Sequence, residues 1–189
     1  MELIFLRHGE GEHNTNEPGS FQILHPKLTE VGIAQVHALR KQFDVQHDEM
    51  IIASPTYRTL ETAHIFSQAN LYYSYVVSPR IYPYREKANT LPCDVVLTPT
   101  EIATFYPQFQ AFCEGHMKGI DLFAINTLPP QVFVKYIEEF VAYCKGLAKK
   151  RIFIVSHDGT IMFFKEYLLQ QTFTRAHMLG TAEYVILQV

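Results

Sequence analysis

Four side chains, far apart in the sequence, share one chemical theme. Arg7 and His8 stand together in "LIFLRHGEGEHN", Arg58 lies in "IIASPTYRTLETA", and His157 lies in "IFIVSHDGT". A guanidinium stays charged at any working pH, and its fork matches the oxygens of a tetrahedral dianion. An imidazole held between arginines is kept neutral by their charge, and a neutral imidazole nitrogen can attack phosphorus. Phosphoryl transfer is mostly positioning and stabilisation of equatorial charge, so these residue types suffice if they converge. Arginines would then do what magnesium does elsewhere, and no metal motif or cofactor motif is read in the chain.

Each of these residues follows a short apolar run, as a strand buried on both faces does. Strands are expected at Glu2–Leu6, Met50–Ala53, Tyr75–Val77, Arg151–Val155 and Tyr184–Val189. Helical spacing is expected from Leu28, with Thr29 as N-cap, and over Val132–Leu147 and Gly159–Leu169. Ser54-Pro55 reads as an N-cap followed by proline at the first helical position of a helix that carries Arg58. Its free N–H groups would favour an anion, and Arg58 would lean back toward the same mouth. Asn14–Pro26 reads as a loop, and Pro79–Pro130 as an irregular, aromatic-rich cap with a short helix after Thr100.

Strands alternating with helices predict an α/β fold: a three-layer sandwich with a mostly parallel central sheet flanked by helices. The whole of 1–189 is read as one domain with a cap excursion at about 79–130. In such sheets ligands bind beyond the carboxyl ends of the strands, where all three landmarks fall.

Hydrophobic residues make up 48% of the chain, enough for a substantial core, and the net charge is -3. With no Lys/Arg run, general nucleic-acid binding is not expected, and anion binding must rely on a local focus of positive charge. The apolar start lacks a basic leader and reads as a strand, not an export signal. No apolar stretch is long enough to span a bilayer, so no membrane partner is expected. Cys93, Cys113 and Cys144 form no CxxC pair, which suggests reduced thiols and a cytoplasmic setting. A cysteine-based phosphatase needs an Arg six residues after its Cys. These three lead instead to Pro99, Gly119 and Lys150.

Taken together, "LRHGEGEHN", "SPTYRTLETA" and "VSHDG" resemble the histidine phosphatase superfamily, with its phosphoglycerate-mutase-like fold. "LHPKLTEVGIAQ" looks like the same family's LT-x-x-G-x-x-Q segment. The resemblance implies that His8 becomes phosphorylated, and that Arg7, Arg58 and His157 hold the phosphoryl group. It implies a contact from Asn14, and a carboxylic acid from "YPYREKANTLPCD", where Glu86 is the first choice and Asp94 and Glu101 are the alternatives. The expected activity is phosphomonoester hydrolysis of a small phosphorylated substrate.

Other readings stand beside these. Arg58 could pair with Glu61 one turn on, His157 could be a satisfied histidine at a helix start, and Glu10 is expected to support the pocket. His13, His25 and His116 lack ligand spacing and read as loop or rim positions. Tyr82, Tyr84, Phe105, Tyr106, Phe109 and Phe112 read as core, with a few at the mouth. His116 and Lys118 are weighed for a second charged group on the substrate. The rival functions are a mutase, against which "EKANTLPCD" argues, and a non-enzymatic phosphate-binding module. Substrate identity and oligomeric state are not readable.

Overall fold

The computed structural model describes residues 1–67, 70–86, 89–112 and 122–189. Its centre is a six-stranded sheet of β1 (Glu2–Arg7), β2 (Met50–Ala53), β3 (Leu71–Tyr73), β4 (Gln110–Ala111), β5 (Arg151–Ser156) and β6 (Tyr184–Gln188). The order is β4-β3-β2-β5-β1-β6. β6 runs antiparallel to β1, and the other pairs are parallel.

Alternation along the strands divides the core in two. Leu3, Phe5, Ile52, Ile152 and Ile154 face α4 (Pro130–Gly146) and α5 (Asp158–Leu169), packing on Phe133, Phe140 and Phe164. Ile4, Leu6, Ile51, Phe153 and Val155 face α1 (Glu30–Arg40), α2 (Tyr57–Phe66) and α3 (Pro99–Phe105). The expected three-layer α/β sandwich is what forms, because strands apolar on both faces need helices on both.

Register then sets the site. Arg7 pairs with Ser156, and Ala53 with Val155, so β1, β5 and β2 end side by side. His8, His157 and Ser54 follow at the same level. Thr29 caps α1 by accepting from Gly32 N–H at 3.0 Å. Gly32 permits a close crossing: a Cβ there would lie 2.1 Å from the Glu10 carbonyl oxygen. The chain after His8 can therefore fold back onto the start of α1.

Three expectations need correction. The third strand is Leu71–Tyr73, whereas Tyr75–Val77 is a 3-10 turn started by Ser74, whose side chain accepts from Val76 N–H. The helix carrying Arg58 begins at Tyr57 with Thr56 as N-cap, not at Ser54. Ser54 is engaged instead by His157. The cap also contributes β4 to the sheet edge, beside the expected short helix, here Pro99–Phe105 with a Thr98–Glu101 capping box. Its two residues carry no strand pattern of their own. Cys113, His116 and Lys118 lie outside the described residues. No helix among the described residues is long and apolar enough to cross a membrane.

Candidate active site

Arg7, His8, Arg58 and His157 line one cleft of about 360 Å³ at the carboxyl ends of β1, β2 and β5. That volume suits a small ligand. The rings of His8 and His157 lie 5.2 Å apart, edge on. Arg58 is buried and reaches His157 Nδ1 with Nη2 at 3.3 Å.

Each imidazole is oriented by a partner of fixed polarity. His8 Nδ1 lies 2.7 Å from the Gly9 carbonyl oxygen. A carbonyl only accepts, so Nδ1 carries the proton and Nε2 keeps its lone pair. At His157 the logic is reversed. Arginine only donates, so Nδ1 accepts from Arg58, and Nε2–H donates to Ser54 Oγ at 2.8 Å. That bond occupies the hydroxyl expected to cap the helix. Burial holds both rings well below the usual imidazole range, and Arg58 and the neighbouring rings and Arg7 push the same way. Both are neutral at working pH.

The arginines are held as firmly. Arg58 Nη1 donates to the Cys93 carbonyl at 2.7 Å, and Nη2 pairs with Asp94 at 3.0 Å. Arg58 does not pair with Glu61, whose carboxylate accepts from Leu28 N–H. Arg7 donates to the Leu179 carbonyl at 2.6 Å and pairs with Asp158 at 3.2 Å. The Nε atoms of both arginines are buried with no partner among the described residues. Asn14 also lines the cleft, and its Oδ1 accepts from Gly11 N–H. Glu10 accepts from the Thr29 hydroxyl, in a supporting place.

The carboxylates separate clearly. Glu86 is exposed and is not on the cleft lining, although Arg85 beside it is. The Tyr82 hydroxyl, donating to Glu166 and the Phe173 carbonyl, anchors this segment at its start and leaves Glu86 facing solvent. Glu101 is taken up by the Thr98 backbone and hydroxyl, which hold its carboxyl below the usual range. Asp94 lines the cleft with its side chain 19% exposed, and burial pushes its carboxyl up despite Arg58. Asp158, given no role from sequence, lies on the lining as the partner of Arg7.

Sequence reasoning also set His13 at the rim. It is 7% exposed, on the cleft wall, with its ring 5.3 Å from that of His8. Gly9 and Gly11 leave room for this turn: a Cβ at either would crowd the Gly32 carbonyl or the His13 ring. His25 stacks edge-on against Tyr57, away from the cleft lining. Of the cap aromatics, Tyr82 lines the cleft, Phe109 and Phe112 are core, and Phe105 is exposed. Among the described residues no cluster of three or more His, Cys, Asp or Glu has the geometry to hold a metal ion.

Residues 3–82 match the family described as the histidine phosphatase superfamily (branch 1). No curated protein matches the chain. Among solved structures, it is similar to a mutant phosphoserine phosphatase from Entamoeba histolytica in complex with phosphoserine. That pair is 20% identical, covers 98% of this chain and 89% of the other, and has a TM-score of 0.62. The ecdysone phosphate phosphatase from Bombix mori, in complex with tungstate, is 14% identical over 100% and 89%, with a TM-score of 0.67. The alpha-ribazole phosphatase from Shigella flexneri is 19% identical over 100% and 91%, with a TM-score of 0.65. At such identities the likeness carries the fold.

Proposed function

We propose that this chain, whose residues 3–82 match the histidine phosphatase superfamily (branch 1), is a member of that family and hydrolyses phosphomonoesters through a phosphohistidine on His8. One observation carries the reading. His8 Nδ1–H is committed to the Gly9 carbonyl, which leaves a neutral Nε2 lone pair in a cleft walled by two guanidiniums. The phosphatase names of its structural neighbours agree with this choice of chemistry.

In the first step Nε2 of His8 attacks phosphorus and the ester P–O bond breaks. The leaving oxygen takes a proton from Asp94. Positive charge spreads over the phosphorylated ring, where the Gly9 carbonyl stabilises Nδ1–H. In the second step the Asp94 carboxylate takes a proton from water, the water oxygen attacks phosphorus, and the P–N bond breaks. Inorganic phosphate leaves, and both residues return to their starting states.

Asp94 replaces Glu86 as the proposed acid because it faces the cleft and burial favours its protonated form. A phosphate dianion docking on Arg58 adds a like charge beside it, which favours that form further. Arg7 and Arg58 stabilise the equatorial oxygens, and Asn14 contacts the same group. His157 positions Arg58 through Nδ1 and flanks the His8 ring.

The test is a panel of phosphate esters with purified protein. Phosphate release from p-nitrophenyl phosphate, without any bisphosphoglycerate, supports hydrolysis over mutase transfer. Ester binding without turnover across the panel overturns the proposal in favour of a phosphate-binding module.

A further inference from the structure

We infer that His13 is a third imidazole of the site, donating from Nε2 to an oxygen of the transferring phosphoryl group. This deepens the reading above and rests on it.

The backbone around His13 is pinned on both sides. Glu12 N–H donates to the Lys27 carbonyl, Asn14 N–H donates to the Gly11 carbonyl, and the Ser20 hydroxyl donates to the His13 carbonyl at 2.7 Å. Within the 3-10 turn Glu12–Asn14 the buried residue is His13, and it lines the cleft beside Asn14.

Its ring packs against Gly11. A Cβ at position 11 would sit 2.8 Å from His13 Nδ1 and 2.9 Å from Cε1, so only glycine leaves room for the ring. Nδ1 is sealed there with no hydrogen-bond partner among the described residues. A proton on Nδ1 would be a buried donor without an acceptor, which is unfavourable. The neutral ring therefore carries its proton on Nε2, the nitrogen left to the cleft it lines. No hydrogen bond of Nε2 to a described residue is formed.

Burial, then Arg58 and Arg7, lower the ring to a pKa of about 3, so it is neutral at working pH. His13 thus supplies a donor without adding a third cation. A neutral donor aimed into a space bounded by Arg7 and Arg58 suits a phosphoryl oxygen, and no apolar leaving group would use it.

The experiment compares His13→Phe with His13→Gln. Phe keeps the ring volume and removes the donor, whereas Gln restores an N–H donor. The readouts are kcat and KM on p-nitrophenyl phosphate, the inhibition constant of tungstate, and the thermal midpoint. The expected result for H13F is a kcat lower by about a hundredfold and tungstate inhibition weaker by about tenfold, with H13Q recovering most of both. H13F matching wild type, or H13Q as damaged as H13F, overturns the inference. Should the variants fail to fold, histidine-¹⁵N NMR of the wild-type protein decides. It should show His13 protonated on Nε2 and shifting when tungstate is added, and a proton on Nδ1 contradicts the inference. A wild-type protein that neither turns over esters nor binds tungstate sinks the functional reading itself, and this inference with it.

Discussion

The cleft has two unlike sides. Its floor is built at the ends of β1, β2 and β5, where His8, Arg58 and His157 are buried and every ring or fork has a protein partner. Its outer wall comes from the segment after β3 and from the turn before β6, with Arg85 and Arg175 exposed on the lining and Ile81, Leu91 and Met178 partly so. The floor is fixed by sheet register, so it suits a reaction with one geometry. The wall is held by side chains and turns, so it can differ without disturbing that geometry. On the proposed reading, the chemistry belongs to the floor and selectivity to the wall.

Arg58 and Arg80 sharpen the contrast, since both are buried arginines on the same lining. Arg58 spends its fork on Cys93, Asp94 and His157, all at the cleft. Arg80 turns away, donating to the Ile125 and Leu128 carbonyls and stacking 4.0 Å over Phe133. The first guanidinium is held at the cleft, the second ties the wall to α4.

The largest break in this division is His8→Ala. Turnover should fall on the order of 10⁵-fold or more, with little change in thermal midpoint, as steady-state assays and calorimetry will show. Next is Asp94→Asn, which should lower kcat/KM on alkyl phosphates by about 10²–10⁴-fold while sparing p-nitrophenyl phosphate. Equal losses on both esters would remove Asp94 from the acid role. Arg58→Ala should reduce kcat by about 10²–10³-fold. Denaturant titration should also show it destabilised by about 1–3 kcal/mol, because the buried Cys93 carbonyl and His157 Nδ1 lose their donor.

A smaller effect tests the floor by pH. His8, His13 and His157 have folded pKa values below the ordinary imidazole value of about 6.5, so the unfolded chain binds protons first as pH falls. Stability is then fully present above about pH 6.5 and is lost on acidification, by up to about 1.4 kcal/mol per pH unit for each histidine. Urea midpoints measured from pH 7.5 to 5 check the sign, and H13Q should show a shallower loss. The smallest effect belongs to the wall. Arg85→Ala and Arg175→Ala should change KM only a few-fold, and the change should shrink at high salt.

Much of the floor was legible because each landmark follows an apolar strand, and adjacent parallel strands must end together. Arg7, His8, Arg58 and His157 needed no contact information beyond that. Ser54 misled because its hydroxyl had two possible uses, and only the fold shows that His157 takes it. The proposed acid moves from Glu86 to Asp94 because charge and neighbours in the sequence do not report direction. Glu86 sits in a turn facing out, whereas Asp94 follows the 3-10 turn Pro92–Asp94 inward to Arg58. His13 was missed since a loop histidine carries no period, and its burial depends on Gly11 and on the distant Ser20 and Lys27 backbone contacts.

The most direct measurement is rapid-quench trapping with a phosphate ester labelled in its phosphoryl group. Wild-type protein should take up an acid-labile, base-stable label on His8, close to one per chain, and the His8→Ala protein should take up none. An unlabelled but active wild type, or a label that persists in His8→Ala, would contradict the covalent route.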